Sequence, residues 1–226
     1  MDFIKFNLQY DVVKLKSDLK NCQKYKWPLH FNQNDFTGHW SSIALRSISG
    51  NESDISSQAN ATYKDTQLLD ECHYFKEIIT NFQCPLESVR LLSLSPNSYI
   101  KAHKDPDAGY EDGFFRIHIP VQTNSDVVFT LNNQTLAMKE GDCWYANFNL
   151  THFVANNGNQ DRIHLVIDGI RNQWSDQLFE KHGYDLSLKS NDNLDEKTKQ
   201  LVIENLKQIN TPTAKKLIEN LINGTI

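Results

Sequence analysis

The stretch from Ser88 to Gly169 constrains the fold of this chain more than any other part. Short runs rich in Val, Ile, Leu and Phe alternate there with polar turns. The pattern predicts strands at Val89–Ser95, Tyr99–His103, Phe114–Gln122, Val127–Leu131, Thr135–Met138, Asp142–Phe148 and Arg162–Asp168. Asn132-Asn133 suits a hairpin turn and Glu140-Gly141 a tight turn. Roughly seven short strands in about eighty residues point to a sandwich or barrel, of which the jelly roll used by cupins is one form. Two of the strands alternate sharply. Arg116 and His118 share one face of Phe114–Gln122, and Arg162 and His164 share one face of Arg162–Asp168, with aliphatic and aromatic residues opposite. A barrel with a polar interior site explains both.

The flanks are helical. Asp11 caps a predicted helix to Asn21, and Leu68, Leu69, Cys72, Phe75, Ile78, Ile79 and Phe82 form one apolar stripe that predicts a single helix over Thr66–Phe82. A strand is expected near Ser42–Ser47. Past Trp174 the pattern turns helical again. Asn193 with Glu196 reads as a capping box opening Lys197–Ile209, Thr211-Pro212 opens a helix through Ile222, and Gly224 stops it. The expected organisation is a catalytic domain over residues 1–174, a linker near Ser187–Asn193, and a C-terminal helical extension within 175–226.

Composition narrows the function classes. With 226 residues, 39% of them hydrophobic, the chain can bury an ordinary core. A formal net charge of −5 and no strongly basic stretch argue against a nucleic-acid partner. No apolar run approaches the roughly 18 residues of a membrane span, and the first residues lack the pattern of a signal peptide. A cytoplasmic protein is expected. The four cysteines, Cys22, Cys72, Cys84 and Cys143, are scattered without a C-x-x-C pair and read as reduced, buried thiols.

Three features carry chemistry. His103-Lys104-Asp105 ends a predicted strand with an imidazole and a carboxylate two residues apart, so both can face one side. His152 lies after Asp142–Phe148, and Arg162 follows ten residues later. Two histidines and one carboxylate form the facial triad of non-haem Fe(II) oxygenases. The triad leaves positions for a chelating oxo-acid and O₂, and a dicarboxylate cosubstrate needs a fixed cation such as Arg162 at its far end. Asp107 is the rival to Asp105 as the carboxylate ligand.

The ordered set His103…Arg116-Ile-His118-Ile-Pro120…Gly141-Asp-Cys-Trp144-Tyr…His152…Asn156…Asp161-Arg162-Ile-His164-Leu-Val-Ile-Asp168 resembles the aspartyl/asparaginyl β-hydroxylase family, which includes bacterial proline cis-hydroxylases. A weaker echo of the segment preceding the barrel lies at Gly38-His-Trp40…Leu45-Arg46…Gly50. The resemblance implies a double-stranded β-helix with Fe(II) on His103, Asp105 and His152. It implies 2-oxoglutarate held at its distal carboxylate by Arg162, with Arg116 and His118 near its proximal end. The implied reaction consumes O₂, releases succinate and CO₂, and hydroxylates an unactivated C–H; ascorbate is the expected supplement in vitro. Arg90 and Arg46 are candidates for holding a substrate carboxylate. A free amino acid is the favoured substrate, with a peptide or carrier-tethered residue also open. The alternatives are a non-catalytic, metal-binding cupin-like module and a metal-dependent isomerase on the same barrel.

Overall fold

The computed structural model describes residues 1–58, 61–187, 196–209 and 211–223. The elements run in the order β1 (Phe3–Gln9), α1 (Val12–Cys22), β2 (Phe36–Thr37), β3 (Trp40–Ser47), β4 (Lys64–Asp65), α2 (Gln67–Asp70), α3 (His73–Thr80), β5 (Leu86–Leu94), β6 (Ser98–His103), β7 (Phe114–Gln122), β8 (Val127–Leu131), β9 (Gln134–Thr135), β10 (Asp142–Ala146), β11 (His152–Asn156), β12 (Arg162–Ile170), α4 (Gln173–Lys181), α5 (Glu196–Ile209) and α6 (Pro212–Asn223).

Two antiparallel sheets build the jelly roll. The larger has the order β1-β10-β7-β12-β5-β3-β4 and the smaller β2-β6-β11-β8-β9. Strand alternation divides the interior in two. Ile117 and Ile119 on β7 and Ile163, Leu165 and Ile167 on β12 face one way, into a core shared with Leu15, Leu19, Phe75, Ile78 and Phe179 of the helices. The opposite face of the large sheet packs through Trp40, Leu94 and Trp144 on Ile100, Phe129, Leu131 and Val154 of the small one. That second layer also receives the polar residues of β7 and β12, so the site lies between the sheets. The Asn132-Asn133 turn is as expected: both residues have positive φ, 46° and 62°, and Leu131 pairs with Gln134 across it.

Several elements differ from expectation. The predicted Thr66–Phe82 helix is two helices, α2 and α3, broken at Cys72 (φ −115°, ψ 72°). The Asp18 carboxylate, reaching from α1, accepts from the Tyr74 and Phe75 amides at 2.8 and 2.9 Å and starts α3 afresh. The strand predicted at Thr135–Met138 stops at Thr135, although Leu136 and Met138 stay buried. The edge strand β1, paired with β10, and the short β11 have no counterpart among the predicted strands.

The chain divides into two compact units, Met1–Leu186 and Ser187–Ile226. The first continues past Trp174 because α4 belongs to its core: the fully buried Phe179 ring stacks on Tyr110 at 3.7 Å. The second contains α5 packed on α6. The capping box at Asn193, most of the Ser187–Asn193 linker and the Gly224 stop lie outside the described residues. Among the described residues no helix is long and apolar enough to cross a membrane.

Candidate active site

Register brings the first two candidates together. β6 and β11 are antiparallel neighbours in which His103 pairs with His152, placing the two rings 4.1 Å apart. Asp105 lies just beyond β6, its amide bonded to the Phe148 carbonyl at 2.9 Å. One donor atom from each of His103, Asp105 and His152 falls within 4.8 Å of the others, a spacing at which the three can converge on one cation. Asp107 is outside this set. It lines the outer cleft and adopts φ 58°.

Both imidazoles are held by one ring nitrogen. His103 Nδ1 meets the Lys101 carbonyl at 2.7 Å, and His152 Nδ1 meets the Leu150 carbonyl at 3.1 Å. A carbonyl only accepts, so both Nδ1 atoms carry the proton and both Nε2 atoms keep a free lone pair. Burial lowers the His152 pKa to about 4, which keeps it neutral near pH 7. Two imidazoles and a carboxylate, with neither thiolate nor a fourth ligand group among the described residues, suit a first-row transition metal such as Fe(II) with open positions.

Arg162 is 2% exposed. Its Nη2 donates to His164 Nδ1 at 3.0 Å, and its Nε is buried without a partner. Among the described residues no carboxylate pairs with it, and burial alone pushes its pKa down. A buried guanidinium left this way is costly unless an anion completes it. His164, accepting at Nδ1, carries its proton on Nε2, which is likewise unpartnered; so is His118 Nε2. Burial and the adjacent Arg162 hold both histidines well below the usual histidine pKa, hence neutral. A cavity of about 60 Å³ lined by His103, Asp105, His152, His118, Phe129 and Arg162 joins the two histidines and the carboxylate to this cation. A further cavity, of about 580 Å³, abuts Arg162 and His164 but touches none of His103, Asp105 and His152.

Outside the triad opens a cleft of about 510 Å³, which reaches His103, Asp105, Arg90 and Arg116. Its aromatic wall is His30 stacked on Trp40 at 3.6 Å and 10°. His30 carried no signal in the sequence, and Trp40 appeared only in the weaker echo. Arg116 donates to Asp105 at 3.1 Å and to both oxygens of Asp168, so its guanidinium is shared between two carboxylates. Arg90 donates to Asp168 and to the Ile55 carbonyl, while its buried Nε has no partner. Arg46 is a correction. Its guanidinium goes to Asp65, its register partner on β4, and to the Tyr63 and Leu86 carbonyls, and it lines neither the cleft nor the inner cavity.

The aspartyl/asparaginyl β-hydroxylase family model matches residues 8–172, most of the chain and every site residue named above. The chain belongs to this family. The L-proline cis-4-hydroxylase of Rhizobium meliloti (strain 1021) is 28% identical over 165 residues, 71% of this chain and 58% of that protein; the chain thus spans less than two thirds of its relative. Among solved structures, the non-heme α-ketoglutarate-dependent epimerase SnoN of nogalamycin biosynthesis matches with a TM-score of 0.51 at 9% identity, over 75% of this chain and 76% of that one. HygX from Streptomyces hygroscopicus, solved with nickel, 2-oxoglutarate and hygromycin B, matches with a TM-score of 0.50 at 9% identity, over 76% and 84%. At such identity these two support the fold alone.

Proposed function

We propose that this protein is an Fe(II)- and 2-oxoglutarate-dependent hydroxylase that acts on an unactivated C–H of an amino acid, with a free amino acid favoured. The observation that carries the reading is the buried Arg162, which has no carboxylate partner among the described residues and shares one small cavity with His103, Asp105 and His152. A dicarboxylate with its oxo-acid end at the metal and its far end at Arg162 satisfies both. Membership of the family and the proline hydroxylase among the relatives support the same reading.

Fe(II) held by His103, Asp105 and His152, together with 2-oxoglutarate and O₂, supplies the oxidising power for C–H hydroxylation. The chain's own residues do the rest. Arg162 binds the distal carboxylate through its planar fork, neutral His118 lines the cavity without adding charge, and neutral His164 accepts from Arg162 Nη2. Phe129 and Phe148 exclude water from the cavity. Arg90 presents a donor to a substrate carboxylate at the cleft, and the His30–Trp40 stack offers a flat wall for a small side chain or ring. No protein base is required to remove the hydrogen, which fits a site without a nucleophile–base pair.

The test is incubation with Fe(II), ascorbate, 2-oxoglutarate and a panel of free amino acids, reading succinate, O₂ consumption and product mass. Succinate formation coupled to gain of one oxygen atom by an amino acid is the expected result. Metal binding without succinate would leave the non-catalytic module standing, and conversion of substrate without O₂ uptake would indicate an isomerase.

A further inference from the structure

We propose that Asp168 is a positioning residue that, through Arg116, fixes the metal-binding carboxylate of Asp105. This rests on the assignment of Asp105 as a ligand. Asp168 is fully buried on β12 and stands opposite Arg116 of β7 in the sheet register. Arg116 Nε donates to Asp168 Oδ1 at 2.6 Å and Nη2 to Oδ2 at 3.1 Å, a two-pronged contact. The guanidinium is planar, so that contact fixes where its remaining nitrogen points. This nitrogen, Nη1, donates to Asp105 Oδ2 at 3.1 Å.

The consequence falls on Asp105. Its side chain is 37% exposed and lies past the end of β6, where no ladder holds it. Arg116 engages Oδ2, while Oδ1 is the oxygen directed at His103 Nε2, 3.5 Å away. Oδ1 is therefore the atom offered to the metal. Asp168 also accepts from Arg90, the cleft-facing cation, at 3.2 Å. One buried carboxylate thus bridges the buried Arg90 and the partly buried Arg116, whose guanidinium groups would otherwise repel. Without it, Arg116 is free to close on both oxygens of Asp105 and compete with the metal.

The experiment titrates metal-free protein with Co(II), reading affinity by calorimetry and geometry by visible absorption. In Asp168→Asn the Co(II) dissociation constant should rise by about tenfold or more, the effect of losing a group that orients a metal ligand, and the absorption should change shape. In an Asp105→Ala background the same change should have much less effect, because there is no carboxylate left to position. Wild-type affinity in Asp168→Asn, or an equal loss in both backgrounds, would overturn the proposal. If Asp168→Asn does not fold by circular dichroism, Arg116→Lys tests the same link. It keeps the charge but not the planar bridge, so it should weaken Co(II) binding only when Asp105 is present, and unchanged binding would overturn the proposal. Failure of the wild-type protein itself to bind Co(II) would remove the ligand assignment and this inference together.

Discussion

Arg162→Lys separates the two halves of the site. Lysine keeps a positive charge but presents a point donor in place of a fork, so the carboxylate loses its paired contact. The loss should be about 1.5–3 kcal/mol, which is a rise of roughly tenfold to over a hundredfold in the 2-oxoglutarate dissociation constant. Metal affinity should hold, because Arg162 makes no hydrogen bond to His103, Asp105 or His152. Calorimetry of the metal-loaded protein with 2-oxoglutarate checks this, and unchanged affinity would show that the anion is held elsewhere. Residues of this kind were legible because their chemistry is local: ligand types at strand ends, and a cation on the inward face of an alternating strand. Roles set by register were not. Arg46 reads as a cleft cation until β4, only two residues long, brings Asp65 opposite it. Asp168 stands in the recognised motif, yet its bridging role exists only because β7 and β12 pair it with Arg116, fifty-two residues away.

Periodicity reports which residues share a face, and it is silent about whether the backbone between them is continuous. The stripe from Leu68 to Phe82 is real, with Leu68, Leu69, Cys72, Phe75, Ile78, Ile79 and Phe82 all buried, yet the helix breaks in its middle. Leu136 and Met138 show the same in a strand: they keep the buried alternation past the end of β9 at Thr135, Leu136 with one further amide bond to the Phe129 carbonyl. Conversely, β1 alternates, with Ile4 and Phe6 inward, but its Lys, Asn and Gln positions obscure it and its partner β10 lies far along the chain. The break before α3 has an energetic test. Asp18 is 8% exposed and satisfies two amides at the start of that helix. Asp18→Ala should therefore cost about 0.5–2 kcal/mol, as loss of a helix N-terminal acceptor does. Urea denaturation should show a lower midpoint at unchanged slope, with Co(II) affinity unaltered because Asp18 lies on the helical side of the large sheet. An unchanged midpoint would mean that the Tyr74 and Phe75 amides find another acceptor.

At the scale of the molecule, the question is how much chain the site requires. Every residue assigned to it lies within Met1–Leu186, and the expectation of a boundary near Trp174 placed α4 outside. The packing argues for including it. Phe179 is fully buried, with its ring 3.7 Å from Tyr110, 4.9 Å from Tyr145, 5.3 Å from Phe6 and 5.5 Å from Phe115. Asp176 accepts from the Tyr110 hydroxyl and from Arg171. Tyr110 and Phe115 frame the start of β7, the strand that carries Arg116 and His118. Removing a buried phenylalanine costs about 3–5 kcal/mol, a large share of the roughly 5–15 kcal/mol that stabilises a domain. A chain ending at Trp174 should therefore lose cooperative unfolding and Co(II) binding together. A chain ending at Leu186 should melt cooperatively, bind Co(II) as the full chain does, and convert 2-oxoglutarate to succinate. Thermal melts by circular dichroism, metal titration and a succinate assay on the two truncations decide between them. Loss of metal binding in the longer one would show that residues 187–226 help to build the site.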